Sequence, residues 1–371
     1  MELELIEEGR TSVWVPKHDS NVAFPPGSAP VFYNPRMALN RDATVLVASC
    51  MEPRTYLDAM GASGIRGCRV GNESGVAVTI NDRDPDAARL ISQNCDHLGI
   101  GASVTCRDAN ALMSEEPFDF VDLEPFGTPA PFIDAGIRSS IRMMGITATD
   151  TAPLCGAHLK AGIRRYMARP MNTDYHAEVG LRLLLGYAAR MTARYDRGIE
   201  PVFCFAHEHF VRLHIRLARG TQAADRTISR IGYIYQCQGC PYRYEKAGFF
   251  PDQIVCPDCG RPLSPIGPVW TGAIQDSNLL NQLMEKIPES GIAHPTALGK
   301  IIGLCQNELD ISFSYDYHHL AKAYRVSPGP IAAVLSSLEK EGYQATRAHY
   351  SGYCIKTDAP LDVIKANLTA Q

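Results

Sequence analysis

The 371-residue sequence predicts an α/β fold: a doubly wound, mostly parallel sheet, a small metal-stapled insert, and a C-terminal part made of helices and a two-stranded wing. From Thr55 to about Gly220, short apolar runs alternate with helix-like segments, which is the pattern of repeated βαβ units. Between Ile231 and Pro268 a Cys-, Pro- and Gly-rich stretch is too short to build an apolar core of its own and needs a staple. After Trp270 the composition shifts again, and Tyr315 to Lys356 reads as helix, turn, helix and wing.

The elements follow in order. Asn34 to Met51 has Pro35 at a first helical position and apolar residues at Met37, Leu39, Val45 and Val47, so a helix leads into the sheet. Parallel strands are expected at Thr55 to Ala59, Val76 to Ile80, Ser103 to Cys106, Phe118 to Asp122 and Gly145 to Ala148. Pro201 to Ala206 and Phe210 to Ala218 lie too close together for a crossover helix and read as a hairpin. Five parallel strands followed by a hairpin is the order of a class I methyltransferase, Rossmann-like sheet; a dinucleotide-binding domain less usually has that hairpin. In the C-terminal part, HHLAKAYRV, the turn SPGP and IAAVLSSLEKEGY put Ile331, Val334, Leu335 and Leu338 on one face of a winged-helix-like fold. The expected domains are residues 1–231, 232–267 and 268–371.

Composition narrows the function. A hydrophobic share of 45% and a charged share of 20% exclude a disordered chain. No apolar run approaches the ~20 residues that cross a bilayer, and the acidic opening MELELIEEGR is not a secretory signal, so a cytoplasmic protein with reduced thiols is expected. The net charge of −4 argues against a uniformly basic coat for nucleic acid. The charge is not uniform, however. Residues 1–159 carry 12 basic and 21 acidic side chains, whereas residues 160–230 carry 13 basic and 6 acidic, and 12 of those 13 are Arg. Arginine forks bind phosphate and stack on bases, which points an RNA partner at that segment; a solvated helical face is the plainer alternative.

The first strand turns into a helix through DAMGASGIRG, with glycines at 61, 64 and 67. Such a turn lets backbone N–H groups approach a ligand, although a tight βα turn without a ligand has the same sequence. Asp82 follows the second strand, where a carboxylate can accept both ribose hydroxyls of an adenosine. Asp108, after the third, suits an adenine amino group, and Ala109 could offer its N–H to the ring. Either aspartate would also serve as a helix N-cap.

Asp119 to Pro129, DFVDLEPFGTP, brings an acid, a proline and an aromatic to the end of the fourth strand. This resembles the signature of methyltransferases that act on exocyclic amino groups of bases. The lone pair of an aryl amine is delocalised into the ring, so the amine attacks well only when an acceptor holds its N–H as the methyl arrives. Proline fixes the turn, and the aromatic ring can stack on a base taken out of its helix.

Cys237-x2-Cys240 and Cys256-x2-Cys259, fifteen residues apart, have the spacing of a structural four-thiolate zinc site. Four ligands leave no open position for catalysis. Tyr233, Phe249 and Phe250 are expected to supply its apolar shell. Cys155 and the other cysteines read as buried small residues.

The segments VFYNPRMALNRD (Val31 to Asp42), DAMGASGIRG, EPFGTP, TATDTAPLCGAH (Thr147 to His158), HAEVGLRLL and Tyr343 to Arg347 resemble the tRNA (guanine(26)-N2)-dimethyltransferases of the archaeal type over nearly the full length. The resemblance implies a class I fold with an extra C-terminal, tRNA-binding domain. It also implies transfer of one or two methyls from S-adenosyl-L-methionine to N2 of a guanine in tRNA. Carried over by motif, Arg41, Arg66, Asp82, Asp108 and Ala109, with the Gly61 and Gly64 turn, would bind the cofactor, and Phe32 and Phe126 would flank the base. The family usually has DPFG where this chain has Glu124-Pro125-Phe126-Gly127. The extra methylene shifts the acceptor by about 1.5 Å unless the backbone retreats, a displacement that can cost ~100-fold in rate. Glu124 is the expected acceptor, with Asp122 as substitute. Asp150, at the fifth strand end, would assist or anchor a turn. A monomer is expected. Two other readings stay open at this point: a nicotinamide-dependent dehydrogenase, and a zinc-ribbon and winged-helix nucleic-acid binder without catalysis.

Overall fold

A computed structural model describes residues 2–17 and 31–370. The chain divides into two compact units, 1–148 with 214–217 and 277–303, and 149–213 with 218–276 and 304–371. The units cut across the expected linear segments 1–231, 232–267 and 268–371, because stretches far apart in sequence pack together.

The first unit opens with a hairpin, β1 (Leu3–Glu8) and β2 (Thr11–Pro16), that turns at Gly9 with φ of +65°. Asn34 then caps a 3-10 turn, Pro35–Met37, its Oδ1 accepting the Arg36 N–H at 3.0 Å, and the turn runs into α1 (Ala38–Met51). The βα units follow: β3 (Thr55–Asp58), α2 (Ile65–Ser74), β4 (Ala77–Asn81), α3 (Pro85–Leu98), β5 (Ser103–Thr105), α4 (Ala109–Glu115), β6 (Phe118–Leu123), α5 (Ala130–Ser139) and β7 (Ser140–Ala148). The five strands pair in parallel in the order β5-β4-β3-β6-β7. The order reverses between β3 and β6, the switch point at whose carboxyl ends α/β sheets bind ligands. β6 is buried throughout, as a central parallel strand must be. β7 begins five residues earlier than the expected Gly145, since Ile141 and Arg142 are exposed and give no apolar signal.

The second unit holds α6 (Thr151–Leu154), α7 (Leu159–Tyr166) and the 18-residue α8 (His176–Ala193). The expected hairpin is present as β8 (Arg197–His207) and β9 (Phe210–Arg219); the His214–Leu217 stretch of β9 groups with the first unit and continues its sheet beside β7. After α9 (Thr221–Ile228) comes a three-stranded sheet in the order β11-β10-β12, made of β10 (Ile231–Cys237), β11 (Arg243–Ala247) and β12 (Leu263–Trp270). Gly186 of α8 lets the helix pack against β12: a Cβ there would lie 2.9 Å from the Val269 carbonyl carbon. Beyond α10 (Ser277–Ser290) and α11 (Pro295–Asn307), the C-terminal part is β13 (Tyr315–Asp316), α12 (Tyr317–Tyr324), α13 (Ile331–Lys340), β14 (Ala345–Arg347), β15 (Cys354–Thr357) and α14 (Leu361–Asn367). Its sheet order is β13-β15-β14, the expected helix, turn, helix and wing, with Val334 and Leu338 buried in its core and Ile331 and Leu335 packed against them. Among the described residues no helix is long and apolar enough to cross a membrane.

Candidate functional site

The carboxyl ends of β3, β4, β5 and β6 bring together the residues that the sequence singles out. Gly64 begins α2 in the left-handed region, φ +78°. Gly61 and Gly67 serve close packing: a Cβ on either would press within 2.6 Å or 2.5 Å of Ile80 on β4. The turn is therefore sealed onto the sheet, as a ligand-cradling βα turn requires.

Asp82 sits beside it. Its Oδ2 accepts the Ala62 N–H at 2.8 Å and its Oδ1 accepts the Asp84 N–H at 2.9 Å. A carboxylate has about four acceptor positions, so each oxygen keeps one for a ribose hydroxyl. Asp108 does cap α4, its Oδ1 accepting the Ala111 N–H at 3.0 Å, while its other oxygen makes no hydrogen bond among the described residues. Ala109 is the first residue of α4, where backbone N–H groups have no partner within the helix. The donor and acceptor set thus fits an adenosine moiety.

At the end of β6, Glu124 is ion-paired to Arg66 through Oε2 and the guanidinium Nη2. Arg66 is fully buried, and two residues one turn apart on α1 hold it: Asn40 Oδ1 accepts from Nη2 at 2.8 Å, and Thr44 Oγ1 accepts from Nη1. Glu124 keeps 20% of its side chain exposed and its Oε1 without a hydrogen bond among the described residues. Asp122, the substitute acceptor, is fully buried and accepts from the Tyr56 hydroxyl at 2.8 Å, so it has no access to a substrate. Asp58 completes this acid cluster and accepts the Gly67 N–H at 3.0 Å. Burial pushes its carboxyl up to about 7; Arg66 opposes the rise, and Asp122 and Glu124 add to it. The Asn40 and Thr44 anchors escaped the sequence reading, although their four-residue spacing on α1 was the available signal.

Phe32 and Phe126 meet edge to face, with ring centroids 5.4 Å apart and planes at 76°. That contact leaves no slot between the rings, and Phe126, 80% exposed, has room to swing. Arg41 is placed differently from a residue aimed at a ligand. Its Nε donates to Glu8 at 2.6 Å and its Nη2 to the Asn34 carbonyl at 3.2 Å, which ties the N-terminal hairpin to α1. The neighbouring Asp42 is equally buried: it pairs with Arg69 at 2.7 Å and accepts the Ala293 and His294 N–H groups.

In the second unit Asp150 accepts from Tyr166 at 2.6 Å and Arg165 at 2.9 Å, the bonds of a turn anchor. Burial, with Asp150 nearby, pushes the Cys155 thiol up to about 12, which disqualifies it as a nucleophile. Cys237, Cys240, Cys256 and Cys259 bring their four sulfurs within 4.8 Å of one another. The Cys237–Cys259 and Cys240–Cys256 pairs stand at 3.4 and 3.5 Å, far beyond the ~2.05 Å of a disulfide. The shell matches expectation at Tyr233 and differs at the phenylalanines: Phe249 and Phe250 are 54% and 80% exposed, and Tyr235, Leu263 and Ile254 join Tyr233 on the cysteines instead.

Residues 9–369 match the family described as N2,N2-dimethylguanosine tRNA methyltransferase. The chain belongs to this family. It is 62% identical to the tRNA (guanine(26)-N(2))-dimethyltransferase of Methanospirillum hungatei over 98% of this chain and 99% of that one, and 57% identical to the Methanoregula boonei enzyme of the same name over 98% and 97%. The structure of Trm1 from Pyrococcus horikoshii in complex with S-adenosyl-L-methionine superposes with a TM-score of 0.89 at 33% identity, covering 99% of this chain and 100% of that one. Family membership leaves the dehydrogenase and the non-catalytic binder without support, and makes the sheet that of a class I methyltransferase.

Proposed function

We propose that this methyltransferase carries methyl groups from S-adenosyl-L-methionine to the exocyclic N2 of guanine 26 in tRNA, with Glu124 accepting the amine proton's hydrogen bond. The observation that carries the assignment of residues is the Glu124 carboxylate, fixed at the end of β6 by Arg66 on one oxygen and open on the other. The bound cofactor supplies a methyl group activated by a positive sulfur. Asp82 would take the ribose hydroxyls, Asp108 and Ala109 the adenine, and the Gly61 to Gly64 turn the approach of the cofactor chain. Arg66 would act beside the cofactor through Glu124. Arg41 would act by holding the Asn34 segment and hence Phe32 in place. Phe126 and Phe32 would clasp the flipped guanine, and Glu124 would hold an N2–H, draw density onto N2 and take up the proton that N2 gives up once its bond to the methyl forms, the cofactor leaving as the neutral thioether with no covalent enzyme intermediate.

The four cysteines fit Zn2+ held tetrahedrally as a structural staple for residues 232–267. Residues 1–231 would provide most of the catalytic core and 268–371 most of the remaining tRNA contact. We read the enzyme as a cytoplasmic monomer. Incubation with unmodified tRNA and S-adenosyl-L-methionine, followed by nucleoside analysis, should yield N2-methyl- and N2,N2-dimethylguanosine. Absence of both overturns the reading.

A further inference from the structure

The Arg-rich segment divides sharply by burial. Arg182 and Arg212 are fully buried, and Arg182 and Arg190 bond backbone carbonyls, so these are structural. Of the exposed cations, Arg194, Arg219, Arg226 and Arg230 are spread along the later elements, and four stand together at α7. Residues 151–173 contain Lys160, Arg164, Arg165 and Arg169 and no acid. Arg165 pairs with Asp150, while Lys160, Arg164 and Arg169 are exposed and form no ion pair among the described residues.

The same helix shows a second feature. Leu159, Ile163 and Met167, four residues apart, are 40%, 44% and 65% exposed. Residues at this spacing share a helix face. The helix is anchored along the adjoining strip, where Tyr166 is buried on Asp150 and Gly162 packs so closely on Pro153 and Pro170 that a Cβ would lie within 2.7 Å of each, and Lys160 and Arg164 stand opposite that strip. The apolar ridge is therefore displayed, with Lys160 and Arg164 along one flank.

We infer that α7 is a tRNA-docking ridge on which Lys160, Arg164 and Arg169 hold backbone phosphates while Leu159, Ile163 and Met167 lie against unstacked base and ribose faces. The inference rests on tRNA being the substrate. A purely apolar partner would have no use for an acid-free row of cations. A phosphate rail alone would not call for an exposed Leu, Ile and Met, which are the side-chain types that wedge against unstacked nucleotides.

The test uses the full chain, unmodified tRNA and two double variants. Lys160→Ala/Arg164→Ala should raise KM for tRNA about 10-fold and flatten the slope of log affinity against log salt by about 2, one per lost phosphate contact. Ile163→Ser/Met167→Ser should raise the same KM about 10-fold and leave the salt slope unchanged, since stacking is not ionic. Both should keep the wild-type KM for S-adenosyl-L-methionine, which reports an intact fold. If the wild type methylates tRNA and both variants match it in KM and salt slope, the docking ridge is wrong. It is also wrong if sedimentation finds a wild-type dimer that Ile163→Ser/Met167→Ser separates without changing tRNA kinetics, because the ridge then meets a second copy. A wild type that makes no N2-methylated guanosine overturns the functional reading itself, a separate result.

Discussion

Arg66, fully buried, grips one oxygen of the Glu124 carboxylate and leaves the other facing the end of β6. A guanidinium 58 residues earlier in the chain thereby fixes where the Glu124 side chain, one methylene longer than an aspartate, ends. The arrangement makes the acceptor and its clamp a unit. Glu124→Gln should lower kcat at least ~100-fold, because the amide has no net charge and turns N–H groups toward Arg66. Glu124→Asp should also lose activity, about 10-fold or more, since it retreats from Arg66. Arg66→Lys should lower kcat by a similar factor with KM for tRNA little changed. Steady-state kinetics check all three; a fully active Glu124→Asp would mean that Arg66 does not position the acceptor.

Phe126 meets Phe32 edge to face, and if the two rings clasp the base as proposed, Phe126 must move to admit it. Phe126→Ala should reduce kcat/KM for tRNA roughly 10- to 100-fold, the range expected for one lost base-stacking contact, whereas Phe126→Tyr should keep most of it. A fluorescent adenine analogue placed beside guanine 26 should brighten on binding to wild type and much less with the Ala variant.

Asp58 titrates near 7 when folded because it is buried, with Asp122 and Glu124 nearby, and near 4 when unfolded. Between these values the native state holds a proton that the unfolded chain has lost, so stability falls as pH rises from about 4 to 7 and levels off above. Asp58→Asn removes that dependence. Compared with the variant, the wild type should melt progressively lower as pH rises through this window; parallel melting curves across it would show that Asp58 ionises at no cost.

The four cysteines predict one zinc per chain by elemental analysis. Stripping it with a strong chelator, or Cys256→Ser, should lower the melting temperature, because the cysteine end of β10, β11 and β12 has only the small cluster of Tyr233, Tyr235, Leu263 and Ile254 around the sulfurs. Catalysis at low temperature should survive better than stability. Metal-free protein with an unchanged melting curve contradicts the staple.

The sheet, the glycine turn, the position of Asp82 and Glu124 at strand ends and the clustering of the cysteine pairs are legible in the sequence because each depends on local spacing. What was illegible depends on distant partners. The hairpin β1–β2 hid behind its acidic composition: Glu8 is buried only because Arg41 and Arg69 receive it there. Arg66 looked like a cofactor residue, and its bond to Glu124 needs the fold to bring them together. Phe249 and Phe250 read as core by residue type, yet they lie in the loop after β11 and stay exposed. The Arg-rich segment carried a correct net charge but no information on which guanidinium groups face inward.

The most direct test replaces one atom group in the substrate. Two tRNA transcripts, one with guanine and one with inosine at position 26, differ in the exocyclic N2 amine. With labelled S-adenosyl-L-methionine, the guanine transcript should gain N2-methylated guanosine and the inosine transcript should gain no label at that position. Equal labelling of both, or a methyl at another ring position of the guanine, would contradict N2 transfer directed by Glu124.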